Sequence, residues 1–372
     1  MLPRHHNLFS FVDELGPSKI VHLSVPAACL NAVVVVDNVA AGPAIGGTRM
    51  ALDVSVEECV RLARAMTLKN AAAGLRHGGA KSVIVGDPKM PAAEKERTIR
   101  AFAAAIRQIT DYIPGPDMGT NETAMAWVYD EIGRAVGLPR ELGGIPLDEI
   151  GATGFGVAVA AEVAQEFCGL KLDGARFVVE GFGAVGQHAA RFLAEKGSRL
   201  VGVSDQGGAI ADQDGLDIEA LVRLKKAGRS VTDHVKCARI DADHLIALPS
   251  DIWIPAARPD TLRADNVDRL NTKLVLQGAN IPATPEAEAR MHERGILNVP
   301  DFIANAGGVI CGAVEYAGGT EAVALAAIKD KIARNTREML ERAREQRTSP
   351  RQAAMEITVG RVRKMMTYDR WH

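Results

Sequence analysis

No clustered positive charge, no long apolar run and no paired cysteines occur in this chain of 372 residues, and each absence removes a class of function. Lys and Arg number 44 against 46 Asp and Glu, the formal net charge is −2, and the basic residues are spread along the chain. Neither nucleic acid nor an anionic membrane is therefore expected as the main partner. The longest apolar run near the N-terminus, Ala32–Val36, is far short of the roughly 20 residues that span a bilayer. No secretory signal can be found, so the cytoplasm is the expected location. The five cysteines (Cys29, Cys59, Cys168, Cys237, Cys311) are odd in number and widely scattered, without a CxxC pair or a histidine at ligand spacing. Disulfides and bound metal are both unexpected. Internal repeats and low-complexity segments are missing as well.

What is present is ordinary for a globular chain, 47% apolar and 24% charged, with length enough for two cores. Two lysines stand out in Thr67–Pro88. Lys69 opens an Ala-rich, helix-favouring run, and Lys81 follows Gly78, Gly79 and Ala80 and precedes the apolar Ser82–Val85. A lysine entering a strand after small residues is open to close approach by a ligand. Partial desolvation there lowers its pKa, as a lysine general base requires. A solubilising charge at a strand edge is the competing reading.

Ala32–Asp37 reads as a buried strand, and Gly42–Met50 as a glycine-punctuated turn into another extended piece with close backbone approach at Gly46–Gly47. Ser55 caps a helix over 55–65, and Ile99, Phe102, Ile106 and Ile109 mark one face of a helix over 94–112. The segment Ile-Pro-Gly-Pro-Asp-Met-Gly-Thr that follows reads as a stiff loop holding Asp117. For Asp117 a turn or helix N-cap role stands beside a functional one.

After an interdomain linker at Gly143–Ile150 and a helix at Thr153–Phe167, the pattern changes. A strand at Ala175–Glu180 leads into Gly181-Phe182-Gly183-Ala184-Val185-Gly186, then a helix, a second strand at Leu200–Ser204 and the acid Asp205. This is the full context of a dinucleotide fingerprint: Gly181 for the tight turn, Gly183 for backbone approach to a pyrophosphate, Gly186 for helix–strand packing. Asp205 would accept hydrogen bonds from an adenosine ribose and repel a 2′-phosphate, which points to NAD; a plain strand-end turn is the alternative. Later strands at Asp251–Pro255 and Lys273–Leu276 end in small residues, placing Ala256, Ala257 and Asn280 at the ligand-binding edge of a doubly wound sheet. Asn280 is either a nicotinamide-ribose contact or a turn residue. Long helices are expected over 321–347 and 350–366.

The segments GPAIGGTRM (42–50), MTLKNAAAGL (66–75), GGAKSVIVGDP (78–88), GPDMGT (115–120), ATGFGV (152–157), GFGAVG (181–186), QGAN (277–280) and PDFIANAGGV (300–309) together resemble the glutamate/leucine/phenylalanine/valine dehydrogenases over nearly the whole chain. The resemblance implies an α/β protein with an N-terminal substrate-binding and oligomerisation domain over 1–145, a Rossmann-type domain over 146–334, C-terminal helices about 335–372 returning to the first domain, and a cleft between the two. It also implies NAD-dependent deamination of an amino acid, with Lys69 on the substrate α-carboxylate, Lys81 as the base for water and Asp117 as proton shuttle. By the same likeness Gly46 and Gly47 lie beside the substrate, and Thr153 and Asn305 near the cofactor. The side-chain pocket would be lined by Ile45, Gly115, Val309 and Gly312. Glutamate enzymes of this family place a lysine and a serine where Ile45 and Gly312 stand here. A glutamate carboxylate against Ile45 would be buried unpaired at a cost of several kcal/mol, on the order set by ion desolvation. The expected substrate is an apolar, branched-chain or aromatic L-amino acid, in a wide pocket opened by the two glycines. The alternatives are a glutamate enzyme using Arg49 or Arg76 for the distal carboxylate, and a catalytically silent NAD-binding regulator. A homo-oligomer is expected.

Overall fold

Alternation of buried side chains decides where the first sheet puts its chemistry. The computed structural model describes residues 9–234 and 237–369. Its first sheet holds β1 (Lys19–Val25), β2 (Leu30–Asn38), β3 (Ala44–Ala51), β4 (Gly79–Val85) and β5 (Tyr112–Pro116), in the spatial order β1-β2-β4-β3-β5. The pairs β1/β2 and β2/β4 are antiparallel, while β3 runs parallel to both β4 and β5. Three helices accompany this sheet, α1 (Val56–Ala72), α2 (Ala92–Ala105) and α3 (Glu122–Ile132); one face, with Val34, Val36, Ala80, Ile84, Met50 and Tyr112, packs with Ile99 and Phe102 of α2 and with Met125 and Val128 of α3.

The opposite face meets α1, where Val35 and Val83 pack on Cys59 and Ala63. Since side chains alternate with a period of two, Ile45, Gly47 and Arg49 of β3, Lys81 of β4 and Ile113 and Gly115 of β5 share this second face. Ser55 caps α1 by accepting from the Glu58 N–H at 3.1 Å, and the helix runs on unbroken so that Lys69 falls in its last turn.

Two readings of this half are corrected. The helix expected over 94–112 ends at Ala105, and Tyr112–Pro116 is a strand rather than a loop. Prolines are tolerated there because β5 is an edge strand paired only to β3. Asp117 is not the cap of α3; Asn121 is, accepting from Ala124 N–H at 3.0 Å.

The chain divides into two units. The first comprises the described residues up to Pro146, Val309–Ala324 and those from Ile357; the second comprises Leu147–Gly308 and Leu325–Glu356. The segments grouped with the first unit are thus 309–324 and the last turns, rather than everything beyond 335. Glu315 ties the first of them in, its buried carboxylate accepting from the N–H groups of Leu138 (3.1 Å) and Ile145 (2.9 Å). Arg361 secures the second by donating to the carbonyls of Ala71 (3.3 Å) and Ala72 (2.8 Å) at the end of α1.

The second unit carries α4 (Ala152–Ala164), β6 (Arg176–Glu180), α5 (Ala184–Ala194), β7 (Arg199–Asp205), β8 (Gly208–Ala211), α6 (Ile218–Lys226), β9 (Ala238–Ile240), β10 (Ile252–Pro255), β11 (Leu274–Leu276) and β12 (Leu297–Val299). The sheet order is β12-β11-β10-β6-β7-β8-β9, parallel from β12 to β7 with an antiparallel margin of β8 and β9. Apolar runs such as Phe177–Val179 and Leu274–Leu276 are fully buried, as strands covered on both faces must be. Because β6 lies between β7 and β10, the strand order reverses at β6, the switch point where such sheets bind ligands. Among the described residues no helix is long and apolar enough to cross a membrane.

Candidate active site

Lys81 is buried to 6% exposure, and its Nζ meets Asp117 Oδ2 directly. Burial pushes its pKa down and the positive charge of Arg49 adds to this, followed by that of Lys69; Cys59 and Glu58 oppose, and the amine ends at about 7. An amine so placed is substantially uncharged near neutrality, and can take a proton. Lys69, half-buried in the last turn of α1, is close enough for its charge to be felt.

The backbone around this pair is built for close approach. A Cβ on Gly47 would lie 2.9 Å from both Cβ and Oδ2 of Asp117, and one on Gly46 would fall on the Ala80 carbonyl. Thr120 clamps the Asp117 turn: its hydroxyl accepts from the Asp117 N–H (3.0 Å) and donates to the Thr48 carbonyl (2.7 Å). Asn70 donates to the Gly78 carbonyl at 2.7 Å, holding the turn that delivers Lys81. On the sheet's other face the Tyr112 hydroxyl joins Ser82 (2.8 Å) and Thr48 (3.2 Å) in a buried network.

Beside these charges lies an apolar patch of Ile45, Ile113 and Val136, with Ala313 packed against it. The positions of the two glycines are less open than the absence of side chains suggests. A Cβ on Gly115 would stand 3.0 Å from Val136 Cγ2, and one on Gly312 3.8 Å from the same side chain. Val136 therefore occupies part of the space that the glycines vacate, and the expected wide pocket is narrowed there. Val309 precedes Gly312 by one helical turn. Arg49 is engaged by Glu58 and by Asp117 Oδ1 (3.3 Å), and Arg76 is exposed. Arg49 is thus already committed to two carboxylates.

In the second unit the glycine run takes the conformation its spacing implies. Gly181 has φ +96°, and a Cβ on it would press Ala257 at 2.6 Å; one on Gly186 would strike the Gly181 carbonyl. Nothing lies within 4 Å of a Cβ on Gly183, and no side chain caps α5, whose first turn holds Ala184, Val185 and Gly186. Open space before uncapped helix N–H groups fits a pyrophosphate. A cavity of about 800 Å³ opens from there, lined by Gly181, Gly183, Asp205, Ala256, Ala257 and Arg258 among others. Asn305 donates to the carbonyls of Gly278 (3.3 Å) and Ala279 (3.0 Å) and to Asn280 Oδ1 (3.1 Å), with its own Oδ1 buried and unpartnered. Thr153 sits in the first turn of α4, its hydroxyl 3.2 Å from where a Cβ on Gly308 would be.

Asp205 lines this cavity with its carboxylate already engaged. It accepts from Lys225 Nζ (2.5 Å), Ser230 Oγ (2.7 Å) and the N–H groups of Val231 (3.0 Å) and Gly207 (2.8 Å). Burial works against its charge, but the bonds from Lys225, Ser230 and the backbone prevail and hold its pKa below the usual carboxylate range. Its oxygens are already occupied, and Lys225 supplies the cation that the residues just after Asp205 lack. At the foot of the cradle Glu180 also lines the cavity, with Oε2 buried and unpartnered; burial pushes its pKa up to about 7 against the pull of Thr261 and Arg258.

Arg49, Thr120, Val136, Glu180 and Lys225 were not singled out for these positions by sequence reasoning. Arg49 carries a usable signal, since it lies two residues beyond Gly47 on one strand and so shares its face.

A Rossmann switch point with an open glycine cradle fits a dinucleotide-binding unit, and the other unit carries a buried lysine–aspartate pair able to move protons. The chain belongs to the Glutamate/Leucine/Phenylalanine/Valine dehydrogenase family, whose description matches residues 143–370, with the Glu/Leu/Phe/Val dehydrogenase dimerisation domain matching 17–134. It is an amino acid dehydrogenase by family, using a nicotinamide dinucleotide. It is 36% identical to a glutamate dehydrogenase of Aeropyrum pernix over 90% of this chain and 85% of that one. A glutamate dehydrogenase of Thermotoga maritima is 42% identical over 75% of this chain and 70% of its own. Among solved structures, a hetero-hexameric glutamate dehydrogenase from Thermus thermophilus in a Leu-bound form superposes with a TM-score of 0.84 at 28% identity, covering 94% of this chain and 89% of that one.

Proposed function

We propose that the protein catalyses reversible NAD-dependent oxidative deamination of an apolar L-amino acid, branched-chain or aromatic, to the 2-oxo acid and ammonia. The observation that carries the substrate class is the patch of Ile45, Ile113 and Val136 with Ala313 packed against it, an apolar surface suited to an apolar side chain. A distal carboxylate seated there would be desolvated without a partner. The names of the relatives speak for glutamate, but the arginine best placed to serve it, Arg49, is already shared between Glu58 and Asp117.

Lys69 would hold the α-carboxylate by a charge-assisted bond that fixes the substrate's orientation. A bound nicotinamide would supply the acceptor for the hydride that leaves the substrate Cα, whose carbon becomes an iminium. Lys81, uncharged at the outset, takes a proton from the water that attacks this carbon. Asp117, which would take one proton from the substrate ammonium before the hydride leaves, returns it to the amino nitrogen of the carbinolamine; the nitrogen departs as ammonia while the hydroxyl gives its proton to solvent and becomes the carbonyl. The cofactor-binding set is Gly181, Gly183, Ala184, Val185, Gly186, Thr153, Ala256, Ala257, Asn280 and Asn305, with Asp205 toward the ribose.

One observation favours a second reading of the cofactor. With Lys225 neutralising Asp205, a 2′-phosphate is not met by a bare negative charge, so NADP would also be accepted. Assembly as a homo-oligomer through the first unit is part of the proposal, supported by the dimerisation domain matched there.

The test is steady-state kinetics with glutamate, leucine, valine, phenylalanine and tryptophan, with NAD and NADP in turn. A kcat/KM for glutamate above those of the apolar amino acids would overturn the substrate class. Absence of turnover with every amino acid, despite dinucleotide binding, would make the chain a silent regulator.

A further inference from the structure

Arg49 is held at both ends. One nitrogen, Nη1, meets Glu58 in the first turn of α1; the other, Nη2, reaches Asp117 Oδ1 at 3.3 Å. Asp117 thus stands between two cations, giving Oδ1 to Arg49 and Oδ2 to Lys81. The side chains are 18% exposed for Arg49, 13% for Asp117 and 7% for Lys81, so water screens the three only weakly. Left alone with Lys81, the Asp117 carboxylate would favour the protonated amine. A guanidinium that claims half of that carboxylate, and is itself permanently charged, works the other way.

We infer that Arg49 is a positioning residue that keeps Lys81 available as a base and fixes the Asp117 carboxylate, and that Glu58 acts through Arg49 to limit this effect. The inference rests on the reading of Lys81 as the base and deepens it. Charged and titratable groups face Lys81 from several elements. Helix α1 contributes Glu58, Cys59 and Lys69, β3 contributes Arg49, and the turn after β5 contributes Asp117. From β2 the residue paired with Lys81 is Val35, which carries no charge. Of these, Arg49 bonds directly to the shared carboxylate, and Glu58 holds its far end.

The two side chains act with opposite sign, which makes the inference testable without relying on loss of activity. The experiment is the pH dependence of kcat/KM for the wild type, Arg49→Met, Arg49→Lys and Glu58→Gln, using the amino acid that the wild type turns over best. Removing the positive charge in Arg49→Met lets Lys81 hold its proton longer. The acidic limb should move to higher pH by about 0.5–1 unit, the shift expected from losing one nearby charge. Arg49→Lys keeps the charge but loses the two-ended grip, so the limb should return toward its wild-type position while the plateau stays low. Glu58→Gln removes the opposing charge, and its limb should move to lower pH.

A limb that stays in place in both Arg49→Met and Glu58→Gln, with only its height reduced, would overturn the inference and leave Arg49 a packing residue. Should Arg49→Met fail to fold, Glu58→Gln decides by itself. A wild type with no acidic limb between about pH 6 and 9 would instead remove Lys81 as the base, and this inference with it.

Discussion

Lys225 donates to Asp205 across 2.5 Å, so the acid that closes β7 faces its cavity as one half of an ion pair. Three further donors occupy the same carboxylate, and ribose hydroxyls can be accepted only as some of these are released. Lys225→Ala should expose the negative charge. Affinity for NADP is then expected to fall about tenfold relative to that for NAD, a difference of about 1.4 kcal/mol. Titration of both dinucleotides by fluorescence measures this, and an equal change for the two would dismiss Lys225 as a discriminator.

Lys81 and Asp117 should fail in different ways. Lys81→Met is expected to lower kcat by about 10²–10⁴-fold with little change in KM, the range for loss of a positioned base. In Asp117→Asn the amine loses a neighbouring negative charge, its pKa falls further, and the acidic limb of the rate profile moves to lower pH while the plateau drops. Full activity in Lys81→Met would end the assignment.

Val136 should govern the size of the accepted side chain. Val136→Ala empties the volume beside Gly115 and Gly312 and is expected to raise kcat/KM for phenylalanine relative to valine by about tenfold, within the range one or two methyl groups supply. A ratio unchanged within twofold would place substrate selection elsewhere.

Glu180 gives a stability prediction with a definite sign. Burial raises its pKa from 4.5 in the unfolded chain to about 7 in the folded one, so the native state binds its proton more tightly. Stability from this group is full below about pH 4.5 and is lost as the pH rises through 7. Glu180→Gln, which imitates the protonated form, should therefore raise Tm at pH 8.5 by more than at pH 5. Equal shifts at the two pH values would show that the carboxyl titrates normally.

The dinucleotide half could be read from the chain because its signal is local: strand, spaced glycines, helix, strand and acid follow one another without interruption. The same locality hides Lys225, whose bond to Asp205 forms only after β8 and α6 have been folded in between. Ile113–Pro116 reads as loop because proline is punctuation in a sequence, whereas at a sheet margin it costs nothing in the ladder. β1 alternates from Val21 to Val25, with Val21, Leu23 and Val25 turned to the core and His22 and Ser24 exposed, but none of its residues is fully buried, so its signal is weak. Arg49 was visible through its spacing from Gly47, but only once Ala44–Ala51 is known to be extended. Val136 lies in no motif, and its place beside Gly115 follows from its N–H bonding to the Pro114 carbonyl at 2.9 Å.

That last bond closes one border of the five-stranded sheet. The Pro114 oxygen is taken by Val136 and the Tyr112 oxygen by Arg134 Nε at 3.0 Å, and Pro114 and Pro116 have no amide hydrogen to offer. A foreign strand finds no ladder to extend there, and the β5 rim is protected from being templated into an aggregate. Among the described residues, any strand that lengthens this sheet must do so alongside Lys19–Val25, at the border farthest in strand order from Asp117.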